Sequence, residues 1–133
     1  MVLQQVNKND ALPEVALEAQ RALADAMPIL VMMSDPDGTV NYFNRRWFDF
    51  TGQPYFERDA NWDWQKYMHP DDGARVAKEW AEAVAQGRDV IETQYRLREA
   101  ATGEYRRFQG RAVAVRNKAG EITQWFGTAL QTD

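Results

Sequence analysis

The chain has no cysteine in its 133 residues, and only one histidine. Without a thiol there is no disulfide, thiolate metal site, cysteine nucleophile or cysteinyl adduct, and one imidazole cannot build a multi-histidine metal site. An excess of positive charge is missing too: 16 basic side chains face 20 acidic ones, and a net charge of -4 offers nucleic acid no general attraction. No apolar run approaches the ~18 residues of a membrane span. Residues 1–15 lack the basic and apolar regions of a secretory signal. These absences lead us to expect one cytoplasmic globular domain with no direct membrane insertion, no nucleic-acid partner and no metal site. Of what is present, 44 % apolar residues at this length suffice for a core that needs no covalent staple.

Residues 1–9 are polar and aperiodic, and order is expected from Asp10 onward. Asp10 can cap a helix, Pro13 falls in its first turn, and Leu12, Val15, Ala19, Ala22 and Ala26 recur at steps of three and four. This amphipathic stripe either packs on its own domain or pairs with a second copy. Pro28 ends the helix, and residues 29–33 and 39–44 read as two strands around the turn Asp35-Pro36-Asp37-Gly38. Residues 45–51 carry Trp47, Phe48 and Phe50 and close at Gly52, as a short helix does. Residues 53–68 are irregular and aromatic, so short helical turns are expected there. A long helix follows, with His69 at its cap, Pro70 in the first position and Asp71 and Asp72 at the positive helix end, running to Gly87. Val76, Trp80 and Val84, with Ala77 and Ala81, mark its buried face.

The last third reads as three strands, 89–99, 103–116 and 121–131, made antiparallel by their short connections. By alternation, Ile91, Thr93, Tyr95 and Leu97 share a face with Phe108, Gly110, Ala112 and Ala114 and with Trp125, Gly127 and Ala129. The other face carries an apolar patch of Val113, Val115, Ile122, Phe126 and Leu130, which needs cover from the N-terminal helix or a partner. Together with Leu12, Val15, Ala19 and Ala22, Val113 and Phe126 form the candidate homodimer interface. On the inner face Gly110, Ala112, Gly127 and Ala129 are small, occupy facing positions and are bordered by Tyr95, Leu97, Phe108 and Trp125. Either helices approach closely there, with Trp62, Trp64 and Met68 filling the volume, or space is left for a ligand. Such a ligand would be small and mostly apolar or aromatic, with Tyr95 as a polar contact. Tyr95, Leu97, Phe108, Gly110, Ala112, Trp125 and Ala129 are therefore the candidate cofactor-binding residues.

The motifs SDPDGTVNYFN, FTG, WDWQKYMHPDD, QYRLREAATGEYRRF and WFGTALQTD occur in that order. In this respect residues 22–133 resemble a PAS domain of the kind with a PAC-type C-terminal half. The resemblance implies an α+β PAS fold, with a five-stranded antiparallel sheet, helices on one face and, in residues 1–21, a tail and flanking amphipathic helix. It also implies a sensory module of a bacterial-type signalling protein such as a sensor histidine kinase, working as a homodimer with an attached or partner effector. The family is rarely catalytic. Three positions depart from its pattern: Arg107 stands where Trp is common, Ala114 where Pro is frequent, and Gln131 where an Asp ends the last strand and couples to a signalling helix. The chain ends at Asp133, so any kinase or cyclase effector is expected beyond it or in another polypeptide.

Several chemistries compete for this fold. The light-sensing flavin branch needs a reactive Cys, which is absent, and Ala129 sits about where that branch places a flavin-contacting Gln. Non-covalent flavin or a small metabolite stays open. Haem would need an axial His, and His69 is accounted for as a helix cap. A ligand-free protein-interaction module is the main alternative. A small cone-shaped isomerase-like enzyme using His69, Asp35, Asp37, Asp71 and Asp72 is weaker, since these residues already serve turns and a helix start. Arg96, Arg98, Arg107 and Arg111 form a basic stripe that net acidity assigns to solvent or protein contacts.

Overall fold

The structure is a computed structural model that describes residues 13–55 and 63–133. Helix α1 (Glu14–Ala26) leads into β1 (Leu30–Ser34), β2 (Val40–Phe43) and the short helix α2 (Arg45–Thr51). A 3₁₀ turn (Trp64–Tyr67) then precedes α3 (Pro70–Gln86), β3 (Val90–Arg98), β4 (Tyr105–Arg116) and β5 (Ile122–Gln131). The five strands form one sheet in the order β2-β1-β5-β4-β3 with antiparallel pairing throughout. The expected helix start at Asp10, the stripe residue Leu12 and the aromatic Trp62 lie outside the described residues. Among the described residues, no helix is long and apolar enough to cross a membrane.

Local chemistry accounts for the element ends. The turn between β1 and β2 closes with Gly38 N donating to Asp35 O, while the Asp37 carboxylate accepts from Thr39 N. Gly52 and Gly87 take left-handed backbone, with φ of 75° and 64°, to end α2 and α3. At the start of α3, His69 Nδ1 accepts from Asp71 N at 3.0 Å, with Pro70 in the first turn. The inner sheet face carries α2, the 3₁₀ turn and α3. Leu30, Phe43, Trp47, Phe48, Phe50, Leu97 and Phe108 form the largest buried cluster there, and Ala83, Ile91, Ala112 and Trp125 form a second beneath α3.

Helix α1 lies on the outer face and buries a different side from the one its stripe predicts. Ala24 is its buried residue, packed with Val31, Met33 and Tyr42, while Leu17, Gln20 and Arg21 are half-buried beside it. Val15, Ala19, Ala22 and Ala26 face solvent, and Val15 is 78 % exposed. Polar bonds set the helix phase. The Tyr42 hydroxyl donates to the Asp25 carboxylate and to Arg21 O, and Arg45 N donates to the same carboxylate. Two further packing expectations need correction. On α3, Ala83 is buried and Ala81 exposed. Ile122 leaves the outer patch, because a register shift between Val115 and Arg116 turns it toward Trp125 and Ala83.

Two polar anchors hold these layers. Asn44 is fully buried between β2 and α2. Its Oδ1 accepts from Val31 N at 3.0 Å and Trp47 N at 3.4 Å, and its Nδ2 donates to Ala24 O at 2.8 Å and Ile29 O at 2.9 Å. Asp72, read from sequence as a helix-start charge, also grips Arg96 on edge strand β3. Its carboxylate accepts from Arg96 N at 2.8 Å and from Nε and Nη2, both at 2.9 Å. The Arg96 bonds, outweighing burial, hold the Asp72 carboxyl down from the ordinary 3.8 to about 2.

Replacing Asn44 with Ala removes the side-chain partner of the Ile29 carbonyl and of the Val31 amide and one of the two bonds to Ala24 O, the other coming from Met27 N, a loss of about 3 kcal/mol of stability. Urea unfolding measures it, and a loss below about 1 kcal/mol contradicts the anchoring role. The Asp72 carboxyl is depressed in the folded state, so its stabilisation is present above 3.8 and lost as pH falls toward about 2. Across that window the unfolding free energy of Asp72→Asn falls less steeply with acidification than that of the parent, which parallel urea titrations would show.

Candidate functional site

A cavity of 110 Å³ lies between the inner face of the sheet and the elements that cover it. Gly110, Ala112, Gly127 and Ala129 make its floor, in the pairs Gly110↔Ala129 and Ala112↔Gly127 across β4 and β5. Leu30 and Met32 of β1, Val40 and Phe43 of β2 and Trp47 of α2 form one wall; Trp64, Met68, Val76 and Trp80 form the other. Phe43 and Trp47 stack with ring centroids 4.0 Å apart, which fixes the first wall.

Four of the seven candidate cofactor-binding residues, Tyr95, Gly110, Ala112 and Ala129, line this cavity. The other three are placed elsewhere. Leu97 and Phe108 are buried in the aromatic cluster, where Phe108 meets Phe50 edge to face at 5.1 Å. Trp125 packs against Trp80 at 5.5 Å and donates its indole N–H to Pro36 O. Met32, Phe43, Trp47, Val76 and Trp80 were not anticipated as lining. The alternation of β1 and the four-residue step from Val76 to Trp80 carried the signal, but only the packing of β1, α2 and α3 around one space brings them together.

The two glycines have a local cause beyond the alternatives of helix approach or ligand space. A Cβ on Gly110 would lie 2.8 Å from Tyr95 Cε2 and 3.2 Å from its hydroxyl, so the Tyr95 ring folds across the strand onto Gly110. A Cβ on Gly127 would lie 3.0 Å from Met32 Cε. Neighbouring side chains of the same sheet therefore occupy both positions, and Ala112 and Ala129 face the remaining space.

Polar groups are sparse here, and most are committed. Trp47 Nε1 donates to Gln53 Oε1 and Trp80 Nε1 to Gly38 O. The Thr93 hydroxyl donates to Glu79 Oε1 at 2.7 Å, and the Arg111 guanidinium pairs with Glu92. The Tyr95 hydroxyl bonds to no described residue, and burial raises its phenol above the ordinary 10.0, so it stays a neutral O–H donor. Three of the four carboxylates weighed for acid-base work are spent elsewhere, Asp35 accepting from Asn41, Asp37 from Thr39 N and Asp72 from Arg96, while Asp71 is exposed at the start of α3.

An antiparallel sheet in this strand order, with helices over a small apolar cavity on one face, defines a class of small α+β modules. The chain belongs to the PAS fold family, whose pattern it matches over residues 40–129. It is 34 % identical over 125 residues to an uncharacterised protein, y4lL, of Sinorhizobium fredii; that match spans 93 % of this chain but 14 % of the relative's length. Among solved structures, it is similar to the PAS domain of Bordetella pertussis BvgS (16 % identity, TM-score 0.70, 90 % of this chain and 88 % of that one). It is also similar to the N-terminal domain of a diguanylate cyclase with PAS/PAC sensor from Marinobacter aquaeolei (20 % identity, TM-score 0.62, 77 % and 94 %). The Rhodobacter sphaeroides LOV protein matches at 16 % identity and TM-score 0.68, over 90 % and 68 %.

The glycine contacts predict an order of sensitivity. Gly110→Ala meets an aromatic ring and costs about 2 kcal/mol, whereas Gly127→Ala meets the flexible end of Met32 and costs under about 1 kcal/mol. Thermal unfolding of the two variants checks the order, which is wrong if Gly127→Ala is the less stable.

Proposed function

We propose that this chain is the sensory domain of a larger cytoplasmic signalling protein, in which the cavity takes a small molecule and α1 transmits its occupancy. Residues 22–133 are the sensing unit, and the preceding segment is its arm. The observation that carries this reading is the continuity of Phe43, Asn44 and Trp47. The two aromatics wall the cavity, while the amide between them holds Ala24 O at the end of α1. A ligand that favours one placement of this wall would shift the population of α1 packings by its difference in affinity for them. Effectors named in the similar structures, a diguanylate cyclase among them, make an attached output domain the natural partner. The domain itself is read as non-catalytic, since Asp35, Asp37 and Asp72 already hold a turn and a strand.

A second reading, self-association without ligand, is favoured by the exposed side of α1. Val15 and Leu23, 78 % and 66 % exposed, lie on the helix with Ala19 and Ala22, and Val113 and Phe126 are half-buried on the sheet face below. In this reading a second copy covers the helix stripe. Native mass spectrometry of freshly purified protein, compared with its denatured mass, separates the two. Extra mass lost on denaturation supports sensing, and a bare mass at twice the chain weight supports association. Val15→Glu with Ala22→Glu should abolish any rise of sedimentation coefficient with concentration. A rise that persists in this variant removes α1 from the interface.

A further inference from the structure

We infer that the cavity selects an uncharged, single-ring-sized molecule bearing one hydrogen-bond acceptor, which the Tyr95 hydroxyl engages. The inference rests on the sensory reading above and narrows its ligand class. Size is the first argument. At 110 Å³ the space is of the order of the ~150 Å³ apolar cavity that takes benzene, and it is too small for a tricyclic flavin ring system or a haem.

Charge is the second argument. The lining is almost wholly aliphatic and aromatic, and the guanidinium of Arg111 is engaged by Glu92. The nearest carboxylate partner of the lining, Glu79, is held by Thr93 and Arg75. An ionised ligand would leave water without a counter-charge.

Donor count is the third argument. The indoles of Trp47 and Trp80 and the hydroxyl of Thr93 are already bonded, while the Tyr95 hydroxyl is free among the described residues and stands over Gly110 at the cavity floor. The Trp64 indole N–H, in the opposite wall, likewise bonds to no described residue. Both groups have a proton that no described residue takes, and a ligand acceptor within reach gains a hydrogen bond that a purely apolar guest does not. A carbonyl or ether oxygen on a compact apolar body satisfies this demand; a ligand that only donates does not.

The test is a titration of the ¹⁵N-labelled chain, following the Gly110 amide and the indole N–H resonances. Cyclohexanone is compared with methylenecyclohexane, which has the same outline without the acceptor, with cyclohexanecarboxylate, and with flavin mononucleotide. Cyclohexanone should bind roughly three- to tenfold more tightly than methylenecyclohexane, the worth of one hydrogen bond. Tyr95→Phe should bring the two to equal affinity, and Ala129→Leu, which fills the space and leaves Tyr95 in place, should abolish both. Equal affinities in the parent, a preference that survives Tyr95→Phe, binding of the carboxylate or flavin at these resonances, or no shift with any probe would each overturn the ligand class. The sensory reading fails separately, on a native mass that carries no ligand.

Discussion

One side chain satisfies four backbone groups at the junction of three elements. Asn44 has two acceptor and two donor positions, and the fold uses all of them: Val31 N and Trp47 N give protons to Oδ1, while Ala24 O and Ile29 O take them from Nδ2. Its own backbone N–H also donates to Val31 O. Only a primary amide offers two donors and two acceptors in one plane, and glutamine would carry it one methylene further out. Aspartate has no proton to give the two carbonyls, and leucine has neither. The end of α1, the approach to β1, the strand itself and the first turn of α2 are thus held to one point in the interior.

The placement of that point gives the fold its functional logic. Phe43 and Trp47 flank Asn44 in sequence and stack on each other at the cavity wall, so wall and helix end cannot be repositioned independently. At the opposite edge, Asp72 and Arg96 clamp α3 to β3, and His69 N donates to Arg96 O beside them. The cavity lies between a neutral amide anchor and an ionic one. The first is indifferent to pH, and the second weakens only in strong acid, so the cavity walls keep both anchors over the ordinary range.

How much of this was legible in the sequence depended on which force chose each feature. Period-two alternation placed Tyr95, Gly110, Ala112 and Ala129 on one face and paired the small residues correctly, because strand parity is a local property. The start of α3 was equally plain in His69-Pro70-Asp71-Asp72. The packing side of α1 was not, since the periodic stripe of Val15, Ala19, Ala22 and Ala26 is the side left to solvent and Ala24 lies off it. The decision fell to the bonds that Tyr42 and Asn44 make to α1, at Asp25 and Ala24, across 17 and 20 residues of chain. Ile122 was misplaced because a bulge reverses parity without leaving a mark in composition. The partition of the candidate ligand residues, with Leu97, Phe108 and Trp125 away from the cavity, depends on which side chains of other elements pack over them, Phe50 on Phe108 and Trp80 on Trp125, which alternation does not encode.

The strand order carries a consequence for how the chain is made. The two hairpins, β1 with β2 and β3 with β4, have no strand pairing with each other; β5, the last strand, lies between β1 and β4 and joins them. During synthesis from the N-terminus, therefore, the sheet stays in two unjoined pieces until residues 122–131 have left the ribosome. Cooperative folding waits on pairs such as Leu30↔Ala129, among the longest-range contacts in the domain. A ribosome stalled before β5 presents two open strand edges and a core with no centre, a form suited to chaperone capture rather than to partial function.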